Sequence, residues 1–319
     1  MTWSIYVSNV LPEYVEQDLR SALNVTLNQT GTILGTEELL REIEGHQGLL
    51  TTVAHRYDKA FFARAPASLH VLATYSVGVD HIDLDAARAR GIAVLHTPDV
   101  LTNAVAECAL LLILSVARRA TESLELIRSG AWTGWTPLQL NGFELAGKTL
   151  GILGYGRIGR AVADRARAFG MKIAYTDGQR MSEELEKGAE FYSTAESLLP
   201  QIDVLVLAAP ATAQTVGFLN RQRIALMRDS AVVVNIARGT LVDDEALISA
   251  LEEKRIFGAG LDVFNNEPAI DPRYRSLPNV YITPHIGSST VEARRRMGRI
   301  LIEGLRALME GRSPPNRLV

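Results

Sequence analysis

The sequence predicts an α/β fold built on parallel sheets, and three observations predict it. Apolar strand-like runs alternate with short helical patterns along residues 1–98. The stretch Leu150 to Asp177 sets three glycines between a strand and an amphipathic helix. Further on, Ile202–Ala208 and Ala231–Ile236 are apolar runs interrupted by one polar residue each, Asp203 and Asn235, as strands buried on both faces of a parallel sheet are near-continuously apolar. Such alternation puts helices on both faces of the sheet. Ligands then bind beyond the carboxyl ends of the strands.

Taken in order, the first strands are expected at Trp3–Val7, Asn24–Leu27, Gly48–Val53, His70–Tyr75 and Ile92–His96. Helical spacing falls between them at Tyr14–Ala22, Glu37–Ile43, Lys59–Arg64 and Leu84–Arg90. Two carboxyl ends stand out as ligand loops: Thr51-Thr52-Val53 and Ser76 to Asp80. Thr97-Pro98-Asp99 breaks the alternation, and a long apolar helix from about Asn103 to Arg119 follows. Trp132 to Pro137 is aromatic and irregular; its two tryptophans need a surface to cover them, on this subunit or on a partner.

In the central stretch, Gly154, Gly156 and Gly159 form G-x-G-x-x-G after the run ending at Leu153. The first glycine makes a tight strand-to-helix turn. The second lets backbone approach a pyrophosphate, and the third lets helix pack on strand. Phosphates then sit at a helix N-terminus, where unpaired N–H groups and the dipole favour negative charge. Ile158, Val162, Ala166 and Phe169 mark one face of that helix, and Gly170 is placed to end it. A second strand, Lys172–Thr176, leads to Asp177, which lies 18 residues after Gly159. An acid there can accept hydrogen bonds from an adenosine ribose.

The same acid bears on which dinucleotide fits. A 2′-phosphate would meet the charge of Asp177, and like charges ~4 Å apart repel by about 1 kcal/mol per unit pair even in bulk water. Asp177 therefore favours a free 2′-hydroxyl, which among nicotinamide dinucleotides means NADH over NADPH. The competing reading has Arg180, helped by Gln179, swing round to grip that phosphate.

Further strands are expected at Ala259–Val263 and Val280–Thr283. Ser193 with Glu196, and Ser289 with Glu292, have capping-box spacing, and Asp243 is placed to cap a helix over Glu245–Arg255. Met297, Leu301, Leu305 and Leu308 mark the apolar face of a final helix.

Composition bounds the rest. With 319 residues, about two domains are expected. The chain is 47% hydrophobic and 22% charged with a net charge of −3, which gives no hint of a nucleic-acid partner. Cys108 is the single cysteine, so no intrachain disulfide forms, and it reads as a small buried residue. Residues 1–10 do not resemble a signal peptide, and the longest uncharged apolar run is shorter than the ~18 residues a membrane span needs. A cytoplasmic location is expected. No cluster has metal-ligand spacing, and the glycine loop lacks the Lys-Ser/Thr ending of a P-loop.

Three strand-end loops carry candidate chemistry. Arg238, in Asn235 to Gly239, can grip a carboxylate with two prongs. Glu267, in Asn265 to Pro268, can hydrogen-bond an imidazole and favour its charged form. His285, in Thr283 to Ser288, can give or take a proton near neutral pH. Singly, each also reads as an ordinary surface or loop residue. The other histidines, His46, His55, His70, His81 and His96, read as structural or solvated.

Over nearly its whole length the sequence resembles the D-isomer-specific 2-hydroxyacid dehydrogenases. The resemblance is carried by Ser76–Val94, Thr97–Thr102, GILGYGRIG (Gly151–Gly159), NIARGTLVDDEAL (Asn235–Leu247), GLDVFNNEP (Gly260–Pro268) and TPHIGSST (Thr283–Thr290). It implies two doubly wound parallel-sheet (Rossmann-like) domains with a cleft between them. A discontinuous substrate-binding domain would span 1–98 and 286–319, and an NAD-binding domain 99–285. It implies Arg238, Glu267 and His285 as the catalytic set, with Arg238 on the substrate carboxylate and carbonyl and Glu267 paired to His285. It places Asp262 against the nicotinamide carboxamide and matches Thr102, Arg157 and Ile158 to cofactor contacts. Pro210, Ala237 and Gly287 join Gly154, Gly156, Gly159 and Asp177 in that set. Thr52 and the loop Ser76, Val77, Gly78 match the substrate-binding positions.

Within the family, Trp132–Leu145 and Ser76–Asp85 look most like glyoxylate/hydroxypyruvate reductases, which implies reduction of a small 2-keto acid by hydride transfer, with His285 as acid/base. Phosphite dehydrogenase has a lysine where this chain has Val77, which argues against phosphite. Dehydrogenases of the D-lactate, D-glycerate or phosphoglycerate type stay open as alternatives, as does a non-enzyme, NAD(H)-sensing corepressor. With Val319 soon after the last helix, the C-terminal regulatory extension common in phosphoglycerate dehydrogenases is not expected. A homodimer is implied, with Trp132–Pro137 at its interface and Trp135 reaching the partner's active site.

Overall fold

The computed structural model describes residues 3–319. The chain divides into two compact units: residues up to Leu101 together with Ser289–Val319, and Thr102–Ser288.

The first unit opens with β1 (Ser4–Val7), α1 (Glu13–Ala22), β2 (Asn24–Leu27), α2 (Thr36–Glu42), β3 (Gly48–Thr51), α3 (Lys59–Arg64), β4 (Val71–Thr74), α4 (Leu84–Ala89) and β5 (Ala93–Leu95). The strands pair in parallel in the order β2-β1-β3-β4-β5. Every residue of β3 and β4 is buried, which explains why both are apolar up to a final threonine. Asp58 and Asp83 cap α3 and α4, accepting from the N–H of Phe61 and Ala86 at 2.9 Å each. The ladder is shorter than the apolar runs: Thr52, Val53 and Tyr75 have already left it to form the loops beyond the carboxyl ends.

The second unit holds α5 (Thr102–Ala117), α6 (Ala120–Arg128), β6 (Thr149–Leu153), α7 (Arg157–Ala168), β7 (Lys172–Thr176), α8 (Glu183–Glu186), β8 (Glu190–Phe191), α9 (Ala195–Leu198), β9 (Val204–Leu207), α10 (Arg221–Ile224), β10 (Val232–Asn235), α11 (Asp244–Glu252), β11 (Gly258–Leu261) and β12 (Val280–Ile282). Its parallel sheet runs β12-β11-β10-β9-β6-β7-β8. That is the dinucleotide-binding order, and it reverses direction between β6 and β9, where such sheets take their ligand. β9 and β10 are buried throughout, each large apolar side chain contributing about 1.5–3 kcal/mol. The chain then returns to the first unit as α12 (Val291–Met309), which packs on α1, β4 and β5.

Local details depart from the sequence reading. α5 stops at Ala117 because Arg119 turns left-handed (φ 53°), and α6 begins at once. α6 lay outside the sequence reading: Leu124 and Ile127 recur at helical spacing, but none of its residues is buried. The caps of α9 and α12 are Thr194 and Thr290, not Ser193 and Ser289. Thr194 Oγ1 accepts from Ser197 N and Thr290 Oγ1 from Ala293 N, both at 3.2 Å. This register turns Ala195 and Leu198 inward in α9, and Ala293 and Met297 in α12. Asp243 caps α11, accepting from Ala246 N. Along α7, Val162 and Ala166 are buried while Phe169 is exposed; Leu308 of α12 is only partly covered.

Candidate active site

β10, β11 and β12 are neighbours, so the loops leaving their carboxyl ends lie side by side. After β10, Asn235 folds its own loop: Oδ1 accepts from Ala237 N at 3.0 Å and Nδ2 donates to the Arg238 carbonyl at 2.9 Å. Arg238 is half-buried, with Nη1 donating to the Ala237 carbonyl at 2.7 Å. A Cβ on Gly239 would sit 1.9 Å from the Phe264 carbonyl carbon, so only glycine lets the first loop pass this close to the second.

Beyond β11 and β12 the side chains converge. His285 Nδ1 lies 2.7 Å from Glu267 Oε2. The other oxygen, Oε1, accepts from Phe264 N at 2.7 Å, which fixes the carboxylate. Burial pushes the Glu267 carboxyl up, but hydrogen bonds from His285 and Phe264 N–H, with the charges of His285 and Arg238, hold it below its ordinary value. That balance also places Arg238 within electrostatic reach of the pair. His285 itself is left-handed (φ 53°), and its N–H donates to the Asp262 carbonyl at 2.8 Å. Asp262 is buried: Oδ1 accepts from Thr283 Oγ1 at 2.6 Å and Ile286 N at 2.8 Å, and Oδ2 from Gly287 N at 2.8 Å. Its carboxylate thus holds the histidine loop in shape from both sides.

The glycine loop lies across the β6/β9 switch point. Gly154 has φ 88°, and a Cβ there would lie 2.7 Å from Ala209 Cα. A Cβ on Gly159 would lie 2.2 Å from the Gly154 carbonyl oxygen, which shows how closely α7 packs on the turn. At Gly156 a Cβ would meet nothing within 4 Å, so the backbone at the α7 N-terminus is open, with N–H groups of the kind that suit an anion. Arg157 and Ile158 are the first residues of α7, and Thr102 is the first of α5. Past β7, Asp177 accepts from Tyr155 N (2.7 Å, Oδ2) and Gly178 N (2.6 Å, Oδ1), so the acid is tied to the glycine loop. Arg180 is engaged by Glu186. Pro210 is exposed after β9, its carbonyl accepting from Thr215 Oγ1. Ala237 and Gly287 are buried beside Arg238 and His285. These donors and acceptors fit a dinucleotide.

In the first unit, Thr52 Oγ1 donates to Asn9 Oδ1 and accepts from Ala54 N, both at 3.2 Å. Ser76 is buried, its Oγ 2.8 Å from both Thr74 Oγ1 and the Gly78 carbonyl. The Val77 carbonyl meets His96 Nδ1 at 3.0 Å, so the 76–78 loop is braced at each end. His46 and His55 are likewise engaged, with Ser4 Oγ and the Leu34 carbonyl. In the second unit, burial pushes the Cys108 thiol up to about 12, which makes it inert near neutral pH. Trp135 is 80% exposed and Leu138 84%, so this subunit does not cover the aromatic segment. No described helix is long and apolar enough to cross a membrane.

Sequence reasoning passed over Thr283, Asn235 and the Phe264 amide, which hold Asp262, Arg238 and Glu267. Thr283 and Asn235 each sit within three residues of a singled-out side chain; the amide leaves no trace in sequence.

Residues 110–287 match the family model for the D-isomer specific 2-hydroxyacid dehydrogenase NAD binding domain. The chain is 42% identical to the glyoxylate reductase of Pyrococcus furiosus over 316 residues, covering 98% of this chain and 94% of that one. It is 40% identical to the glycerate dehydrogenase of Hyphomicrobium methylovorum over 309 residues, 96% of each. Among solved structures it resembles the NADPH-dependent glyoxylate/hydroxypyruvate reductase of Sinorhizobium meliloti, solved with NADP and malonate, at TM-score 0.89 and 30% identity, covering 100% of this chain and 97% of that one. With a dinucleotide-ordered sheet, a glycine loop at its switch point and matches over nearly full length, the chain belongs to the D-isomer-specific 2-hydroxyacid dehydrogenase family.

Proposed function

We propose that this protein reduces a small 2-keto acid of the glyoxylate or hydroxypyruvate type to the D-2-hydroxy acid, with NADH as its preferred cofactor. The observation that carries this reading is the 2.7 Å His285–Glu267 pair beside Arg238, on strand ends adjoining the dinucleotide crevice. When bound, the reduced nicotinamide supplies a hydride from C4. Arg238 pairs its planar guanidinium with the substrate carboxylate and carbonyl, which orients the keto carbon and stabilises the charge forming on oxygen. With Nδ1 facing Glu267, Nε2 is the His285 atom that hands a proton to that oxygen. Glu267 stabilises the protonated ring before transfer. Asp262 acts as a positioning residue by shaping the 285–287 loop. The amides of Val77 and Gly78 are proposed to bind the substrate carboxylate.

The NADH preference is supported by Asp177 at the end of β7 and by the engagement of Arg180 with Glu186. We also propose a homodimer with the exposed Trp132–Pro137 segment at its interface, since contiguous exposed apolar surface marks an interaction site. Initial rates with glyoxylate, hydroxypyruvate, pyruvate and a bulky 2-keto acid, each with NADH and NADPH, test the reading. Turnover of the first two with NADH supports it; no turnover of any of the four overturns it.

A further inference from the structure

We propose that Glu186 sets cofactor choice by holding Arg180 away from the 2′-position of the adenosine ribose. This rests on the NADH reading above and extends it to a second residue, outside the acid at the strand end.

Arg180 is the nearest cationic side chain in sequence after Asp177, three residues on. In reach of a 2′-phosphate it would reverse the preference that Asp177 creates. It is occupied instead: Nε donates to Glu186 Oε1 at 2.9 Å and Nη2 to Oε2 at 3.0 Å, a two-pronged grip.

The burial of the two partners is unequal. The Arg180 side chain is 66% exposed and that of Glu186 only 5%. Arg180 would lose little by moving into water. Glu186 would give up both charge-assisted hydrogen bonds from Arg180 and keep the Tyr175 hydroxyl, which donates at 2.7 Å. The loss of that two-pronged pair falls on Glu186, and it is this that holds Arg180 in place. Consistently, Arg180 first and Tyr175 second hold the Glu186 carboxyl below its usual value.

Glu186 is itself braced from the glycine loop. Its main-chain carbonyl accepts from Arg167 Nη2 at 2.8 Å and from the Tyr155 hydroxyl at 3.3 Å. Tyr155 stands between the first two glycines of the loop, and its ring stacks on Tyr175 at 4.2 Å. The Tyr175 hydroxyl in turn accepts from Met181 N at 2.9 Å, which fixes the backbone next to Arg180.

Glu186→Gln tests this. The amide keeps the volume and some of the hydrogen bonding but not the charge that retains Arg180. The expected result is a kcat/KM for NADPH raised about tenfold, mostly through KM, with NADH changed by less than about threefold. Inhibition by 2′,5′-ADP should tighten in parallel while that by 5′-AMP stays the same, a readout that general loosening of the fold would not produce. Adding Arg180→Ala to Glu186→Gln should remove the gain. In the otherwise unchanged chain, Arg180→Gln, which can still donate to Glu186, should leave the NADPH to NADH ratio as it was; this variant serves if Glu186→Gln does not fold. A protein that prefers NADH but shows no gain for NADPH or 2′,5′-ADP with Glu186→Gln would overturn the role of Glu186 and leave the NADH reading standing. An unchanged protein that uses NADPH as well as NADH, and loses it with Arg180→Gln, would overturn both.

Discussion

His285 Nδ1 faces Glu267 Oε2 at 2.7 Å, while the other oxygen of that carboxylate is pinned by the Phe264 amide. One ring nitrogen is thereby committed to the protein and the other is left for chemistry. The carboxylate cannot turn away without giving up its backbone donor.

Glu267→Gln tests what the charge contributes. The Glu267 carboxyl is held below its ordinary value, so it is ionised throughout the neutral range. Reduction needs a protonated imidazole, and a neighbouring anion favours that form. The alkaline limb of the pH–rate profile for glyoxylate reduction should therefore move to lower pH. An unmoved limb would mean that Glu267 only positions the ring.

Arg238→Lys tests the carboxylate grip. Lysine keeps the charge but cannot reproduce the planar fork. A lost charge-assisted prong should lower kcat/KM for glyoxylate by about tenfold or more. Keto-acid kinetics that stay within a few-fold would assign the carboxylate to another residue.

Thr290→Ala tests the start of α12. The Thr290 hydroxyl accepts from Ala293 N, so its loss should cost about 1 kcal/mol in denaturant unfolding. Ser289→Ala should cost less, because Ser289 is exposed and its Oγ accepts from the Arg294 guanidinium rather than from a helix N–H. The reverse order would restore Ser289 as the cap.

Trp135→Ala tests the aromatic segment. Light scattering on the unchanged protein at micromolar concentration should give a dimer. The substitution should weaken that dimer or change the ranking of small against bulky keto acids. A monomer at the outset would contradict the proposed assembly.

The parallel sheets were legible because buried strands such as Val204–Leu207 and Val232–Asn235 are written as runs of branched apolar residues, broken in the second case by its final Asn235 alone. Arg238, Glu267 and His285 were legible as candidates because each follows such a run, and strand ends of one sheet carry its ligands. The caps at Thr194 and Thr290 were not. Two adjacent hydroxyl residues satisfy the local rule equally well, and the choice falls to whichever register buries Ala195 and Ala293. Helix α6 was passed over although Leu124 and Ile127 recur at helical spacing; it buries none of its residues. The saturation of Asp262 by Thr283 and the 286–287 amides depends on the pairing of β11 with β12, a contact between distant segments. The grip of Glu186 on Arg180 was hidden for a related reason: the six-residue spacing carries no pattern until the loop after β7 has folded.

The most direct measurement is glyoxylate reduction by His285→Ala beside NADH binding to the same protein, followed by fluorescence. Removal of a general acid costs ~10²–10⁴ in rate. The expected result is a kcat lowered by that order with NADH affinity nearly unchanged. A His285→Ala protein that still reduces glyoxylate at close to the original rate would contradict the assignment of His285 as the proton donor.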